Sequence, residues 1–529
     1  MRICRGEPWL ALRTLCMAVL LAFALSTPVY AADIAVDETC SLADAISAAN
    51  ADEAVGGCPA GDGADVIALS ADIVLEAELP RITTEITVEG GGYSISGALA
   101  HRIFYVEASG TLGVEKLTMV NGRGGPEIEP DLWSGDAGAV YNDGRLTIID
   151  CMFSKNMAGT SGAIVNRGTA TIDGSVFVDN SDHFVAGAIS NNRGGILIVR
   201  DTDFIRNRGY FAGAIGNHGK LHLVDSLFEE NEAMIGGAIV NSEESHIHSS
   251  SFFSNFAHEG GAILNTGELS ITDSQFSGNR AAQYGGAIKN KGGLAISRGL
   301  FARNRAGLGG AIDNDEDAVL EVDLSAFTEN VAGAGGAIFS IGLLEVKSCA
   351  FSGNGARKEG GALFSDGMLS IFNSSLVGNF AAIGGGLYLP NFERRASESV
   401  STLRHLTIVA NSAEQGGGIH LNAIPKADDI LHNSILADNA GGDCVGGLTH
   451  SESNLIQDGS CDAEFSGDPM LGDLVESEDG SPAYFPLLAG SPAIDAANSD
   501  FCPQADQIGT SRPQGDACDI GAIEFIPEN

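Results

Sequence analysis

Asp313, Asp315, Glu316 and Asp317 crowd four carboxylates into five residues, and Lys289 and Lys291 precede them by about 24 positions. Clustered acids can hold a calcium ion while a basic side chain removes a proton from a polysaccharide, and two acids astride a glycosidic bond suffice for its hydrolysis. The same residues also make a surface charge cluster in which lysines compensate acids. His246 and His248 alternate along a strand-like run and would ligate a metal only with a third ligand close by. No Ser-His-Asp, nucleotide or cofactor signature accompanies them. The expectation is therefore no catalytic site, no metal ligand and no cofactor, with calcium left unassigned. Asp313, Asp315, Asp317 and Lys289 are the candidates of the competing reading, an extracellular polysaccharide lyase or glycoside hydrolase.

Whatever these residues do, a repeat positions them. Twelve Gly-Gly-Ala-Ile-like segments recur between Gly138 and Ile419 at intervals of 24 to 32 residues, with a small column running from Ala139 through Ala163, Ala238 and Ala362 to Gly418. Between successive copies lies a second motif, Phe-x-x-Asn. Units this short cannot bury an apolar face alone and must stack on their neighbours. Within one unit, 162–166, 169–173 and 175–180 read as three short strands separated by Gly, Asn or Asp, and no run carries helical spacing. The pattern predicts an all-β, right-handed parallel β-helix of about 15 coils, its strands stacked roughly 4.8 Å apart.

The Asn of the second motif recurs as Asn156, Asn180, Asn207, Asn231, Asn255, Asn279, Asn304, Asn330, Asn354, Asn379, Asn411 and Asn439. A buried amide repeated at one coil position can hand hydrogen bonds to its equivalents above and below, so this column reads as a structural ladder. A second column, Asn142 to Asn314, precedes Gly144, Gly168 and Gly219 and reads as left-handed corners. The Phe column from Phe153 to Phe351 reads as a core stack.

Gly-Gly-Ala-Ile paired with Phe-x-x-Asn resembles the repeat of the polymorphic outer membrane proteins, which implies a β-helical surface protein. That family ends in a membrane β-barrel; here the sequence reaches Asn529 without a series of alternating ten-residue strands, so self-translocation is not implied. Cys40-Ser41-Leu42-Ala43-Asp44-Ala45 resembles the Cys-Ser-Leu-Arg-Glu-Ala motif of secreted β-helix proteins, with Ala43 and Asp44 in place of Arg and Glu. Ser491-Pro492-Ala493-Ile494-Asp495, Asp506-Gln507-Ile508-Gly509, Arg512-Pro513 and Cys518-Asp519-Ile520-Gly521-Ala522 resemble the choice-of-anchor Q type domain over about 430–526. The resemblance implies export and surface display without implying a reaction.

Arg2, Arg5 and Arg13 ahead of an apolar run from Leu15 to Leu25, then Val29-Tyr30-Ala31, read as a leader cut after Ala31. The expected organisation is leader 1–31, N-terminal cap 32–64, β-helix 65–440 and C-terminal cap 441–529. Ser41 and Asp44 form a capping box for a short helix, both ends cover the open core, and Asp65 to Leu69 is the first strand. Outside the leader stand eight cysteines. Cys40 with Cys58, Cys444 with Cys461 and Cys502 with Cys518 are the local pairs, other pairings among the last four staying open. Cys151 and Cys349, at positions where other coils carry Ser or Thr, read as buried free thiols.

A net charge of −40 excludes binding of nucleic acid or polyanionic pectin through the overall field. No segment beyond the leader is apolar enough to span a membrane. The function expected is an exported extracellular or cell-surface binding and adhesion protein without catalytic activity, for a cell-surface ligand or glycan that the sequence does not name.

Overall fold

A computed structural model describes residues 32–124, 137–390, 400–422, 428–476 and 482–527. The leader and its cleavage point lie outside the described residues. Each repeat closes one turn of a parallel β-solenoid. In one turn, Ile164–Asn166, Thr169–Asp173 and Val176–Val178 are the strands. Thr169–Asp173 pairs in parallel with Arg145–Ile149 on one side and Ile196–Arg200 on the other. Alternation sends Ala170 and Ile172 inward and leaves Thr169, Thr171 and Asp173 on the outer face. One sheet contains fourteen of the short strands, from Phe104–Val106 to Cys444–Val445. That sheet records about fourteen turns, in line with the expectation of about 15, and the turns before Phe104 place no strand in it.

The interior is built from columns. Phe153 to Phe351 stack face to face with centroids 4.5–4.9 Å apart and no exposure. The Asn156 to Asn439 column is a continuous ladder in which each Nδ2 donates to the next Oδ1 at 2.9–3.1 Å. Asp443 terminates it, accepting from Asn439 Nδ2 at 2.9 Å. The residue before each ladder Asn takes the left-handed conformation, as at Glu230 with φ 53°.

The second Asn column is a ladder too. Asn142 donates to Asn166 at 2.7 Å and the chain of amides continues to Asn290 and Asn314 at 2.8 Å. The expectation of left-handed corners there is corrected: Gly168 has no positive φ, and it is glycine because a Cβ would strike the Gly144 carbonyl of the preceding turn. A third ladder is made of hydroxyls. Ser226 Oγ accepts the Thr202 N–H at 3.3 Å and donates to Val224 O at 2.8 Å. Cys151 and Cys349 replace a hydroxyl in this column; both are buried and unpaired. Burial pushes their thiols up to about 11 and about 12.

At the N-terminal end, Ser41 caps the helix Leu42–Ala51 by accepting from Asp44 N at 3.1 Å and donating to its Oδ2 at 2.8 Å. The helix buries Leu42, Ala45, Ile46, Ala48 and Ala49 over the first turns. The first strand is Asp33–Val36 and not the run at Asp65, since it pairs in parallel with Ala64–Leu69 ahead of the helix. Four residues beside the leader give too short a period to separate from it. At the other end the two halves of the tail divide the work. Cys444, Leu448, Cys461 and Ala463 close the core, whereas the last segment, 482–527, folds back along the flank of the final turns. Ala505 O accepts from Asn373 Nδ2 at 2.8 Å, Gln507 Oε1 from Ser375 Oγ at 2.6 Å, and Thr407 Oγ1 from Ala522 N at 3.0 Å.

Ala238 has no exposed surface. Ala238→Leu is expected to overpack its turn and lower stability by about 1–3 kcal/mol, whereas the outward Glu229→Gln should stay within about 0.5 kcal/mol of the parent. Thermal melts check this, and equal shifts for the two would contradict the assignment of the small column.

Candidate functional site

Lys289 and Asp313 stand opposite each other on adjacent strands, Ile288–Asn290 and Ile312–Asn314. Their position in the three-residue strand points away from the core, yet Lys289 is 4% and Asp313 2% exposed. This outer face is roofed by the chain between turns: Val185, Ala212 and Leu264 form an apolar cluster in the earlier turns, and Ala334, Phe364 and Tyr388 another in the later ones. The charged pair is a step between these clusters. Lys289 Nζ lies 2.5 Å from Asp313 Oδ1, 3.3 Å from Asp315 Oδ2 and 5.0 Å from the Tyr284 ring centroid. Burial raises the Asp313 carboxyl to about 6 against the opposing pull of Lys289. A desolvated pair of this kind neutralises itself, and each partner fixes the other in place. Glu316 and Asp317 are exposed past the corner, so the structure separates the sequence cluster into a buried pair with one attendant acid and two surface acids.

Strongly shifted acids are candidates for catalysis, and the other prominent one is Asp182. Burial raises it to about 7. It accepts the backbone N–H groups of Phe184 and Val185 and so braces a turn. Its folded-state value lies above the ordinary 3.8, so the stability it contributes is full below about pH 4 and is lost as pH rises through about 7. Asp182→Asn keeps an acceptor oxygen and removes the charge. The expected result is a smaller fall in melting temperature between pH 5 and pH 8 than in the parent; an unchanged fall would contradict the assignment.

His246 and His248 both lie on an open sheet face. His246 stacks on His222 with centroids 5.2 Å apart, and His248 Nδ1 is 2.8 Å from Thr272 Oγ1. Among the described residues no group of three or more His, Cys, Asp or Glu side chains is placed to hold a metal ion. Cys40 is bonded to Cys58, Cys444 to Cys461, and Cys502 to Cys518. No helix among the described residues is long and apolar enough to cross a membrane.

The same open face carries a groove that sequence reasoning missed. Two adjoining depressions of about 530 and 360 Å³ share Ser270, Ala295 and Glu321. They arise because the strand Gly293–Ser297 turns only Gly293, Ala295 and Ser297 outward, while His246 stands on the wall of earlier turns and Glu321 and Glu345 on that of later ones. Neither depression is lined by Lys289, Asp313 or Asp315; Asp317 lines the larger. A third depression of about 370 Å³ lies where Thr402 and Arg404 meet 500–503 of the folded-back tail. The signal for the groove was present as the small outward set 293, 295 and 297, legible only once the inward register was fixed.

Residues 273–291, which span the Phe-x-x-Asn and Gly-Gly-Ala-Ile motifs of one turn, match the Chlamydia polymorphic membrane protein repeat. No curated protein and no solved structure matches the chain. A parallel β-solenoid built of repeats similar to that family is what the match and the geometry together support.

Proposed function

We propose that the chain is an exported, surface-exposed solenoid that binds a cell-surface ligand or glycan over an extended face and catalyses no reaction. The observation that carries this reading is the use of the regular positions: Phe, Asn, Ser and Ala columns are consumed by the core, and the best acid-base pair, Lys289 with Asp313, is sealed at 4% and 2% exposure. Varied side chains remain only on the outer faces, where solenoids present their binding surfaces. The repeat match at 273–291 and the three disulfides favour display outside the reducing cytoplasm. Export through the 1–31 leader, a Cys-Ser-Leu-Arg-Glu-Ala-type start at Cys40 and a choice-of-anchor Q type end belong to the same proposal.

The test is a turnover assay on pectate, alginate and neutral glycans, with and without calcium. We expect no release of unsaturated or reducing ends by the parent chain. Release by the parent that disappears in Asp313→Ala/Asp315→Ala would replace this reading with a lyase or hydrolase.

A further inference from the structure

The groove across the open face is lined by carboxylates that have no ion-pair partner among the described residues, with Lys347 at its far end. Glu268, Asp317, Glu321 and Glu345 are exposed, and none of them is in an ion pair among the described residues. By contrast Glu244 at the rim is held by Lys220 at 2.9 Å, and Asp273 by Arg298 at 2.5 Å. Four free acids therefore line the depression. It crosses five turns, from the strand Glu244–His248 to the strand Leu343–Lys347, a path of about 19 Å at roughly 4.8 Å per turn. Its floor is flat and hydroxylated, with Ser270, Thr272 and Ser297 beside Ala295.

Building on the surface-binding reading above, we propose that this groove takes a linear glycan bearing free amino groups. Three observations converge on that class. The unpaired carboxylates recur at in-register positions on adjacent turns, as Glu321 and Glu345 do, and would meet ammonium groups repeated along a polymer. The hydroxyl and carboxylate oxygens of the floor and walls suit the hydroxyls of a sugar chain, and the small side chains of Ala295 and Ser297 leave room for a flat ring beside the Glu268 carboxylate, which lies over Gly293. A basic peptide is the poorer fit. The groove strands are hydrogen-bonded on both sides to neighbouring turns, so a peptide finds no sheet edge on which to satisfy its backbone.

Ala295→Trp fills the groove from its outward side and leaves the core untouched; Glu321→Gln/Glu345→Gln removes two charges without changing shape. Calorimetric titration of the chain from Ala32 onward would use three probes: a glucosamine hexamer, its N-acetylated counterpart and hexalysine. The proposal expects the glucosamine hexamer to bind, to weaken with salt, and to lose about tenfold or more in affinity in each variant, with melting temperatures unchanged. It expects the N-acetylated hexamer to bind at least about tenfold more weakly. Parent-like affinity in Ala295→Trp, equal affinity for the acetylated hexamer, or binding of hexalysine alone would overturn it. If no hexamer binds while the chain still adheres to cells, this inference falls and the surface-binding reading stands. Absence of both would remove the two together.

Discussion

Arg512→Met is expected to cost about 3–5 kcal/mol and to free the last segment from the flank of the solenoid. The Arg512 side chain has no exposed surface. One guanidinium nitrogen reaches both His405 Nδ1 and the Asp519 carbonyl at 2.8 Å, and a second reaches the Gly521 carbonyl at 2.8 Å. Because arginine only donates, His405 Nδ1 is the acceptor, and Nε2 lies between Phe501 O at 3.2 Å and Asn433 Nδ2 at 3.0 Å. Burial, with the Arg512 charge adding to it, lowers His405 to about 3, so the imidazole stays neutral. Glu524 lies 3.6 Å from Arg512 Nε, an ion pair beyond hydrogen-bond reach, and accepts the Gln514 and Asp519 N–H groups. Methionine would leave that carboxylate buried without its counter-charge and two carbonyls without donors. Limited proteolysis should then cut within 482–527 while the far-UV spectrum of the solenoid persists. A variant as protease-resistant and as heat-stable as the parent would contradict this account of the tail.

The second large effect is at the ladder. Asn231 Nδ2 donates to Phe204 O at 2.8 Å and to Asn255 Oδ1 at 3.0 Å, while its Oδ1 accepts the Asn207 backbone N–H at 2.9 Å and the Asn207 Nδ2 at 3.1 Å. Asn231→Ala removes all four at a site with no exposed surface. The Asn207 N–H, one Nδ2–H of Asn207 and Phe204 O lose the partner that Asn231 supplied, while Asn255 Oδ1 keeps the Asn231 backbone N–H at 3.0 Å and Asn207 Nδ2 keeps Phe177 O at 2.9 Å, so the expected cost is about 3 kcal/mol rather than a sum of four losses. Asn231→Asp should be nearly as damaging, since a carboxylate cannot donate to Phe204 O or Asn255 Oδ1. Denaturant titration checks both, and parent-like midpoints would mean that the amide column does not hold the turns together.

The solenoid was legible because its signal is repeated. Asn231 alone says nothing, but the same amide at one position in every turn leaves few structures that satisfy it, and the stacked Phe column follows from the same phase. Asn142 to Asn314 were harder to place because their neighbours Gly144 and Gly168 suggest a backbone reason, when the glycines answer to carbonyls of the preceding turn. Elements used once were the ones lost. The strand Asp33–Val36 directly follows the expected leader in sequence, and the path of 482–527 along the flank depends on pairings such as Ser375 with Gln507, separated by 132 residues. Lys289 and Asp313 were seen as neighbours, but their burial was not: the roof over that sheet is built from residues such as Phe211 and Tyr284, which lie outside the repeated motifs and carry no periodic mark. The groove needed the reverse information, which face stays open.

The central claim, that this is a binding surface without an active site, is tested most directly by presenting the chain from Ala32 onward to a glycan array and to surface extracts while following product release on every retained ligand. The account predicts retention of intact ligand with no new reducing or unsaturated ends over prolonged incubation. Steady release of shortened or unsaturated product, abolished by Asp313→Ala/Asp315→Ala, would contradict it.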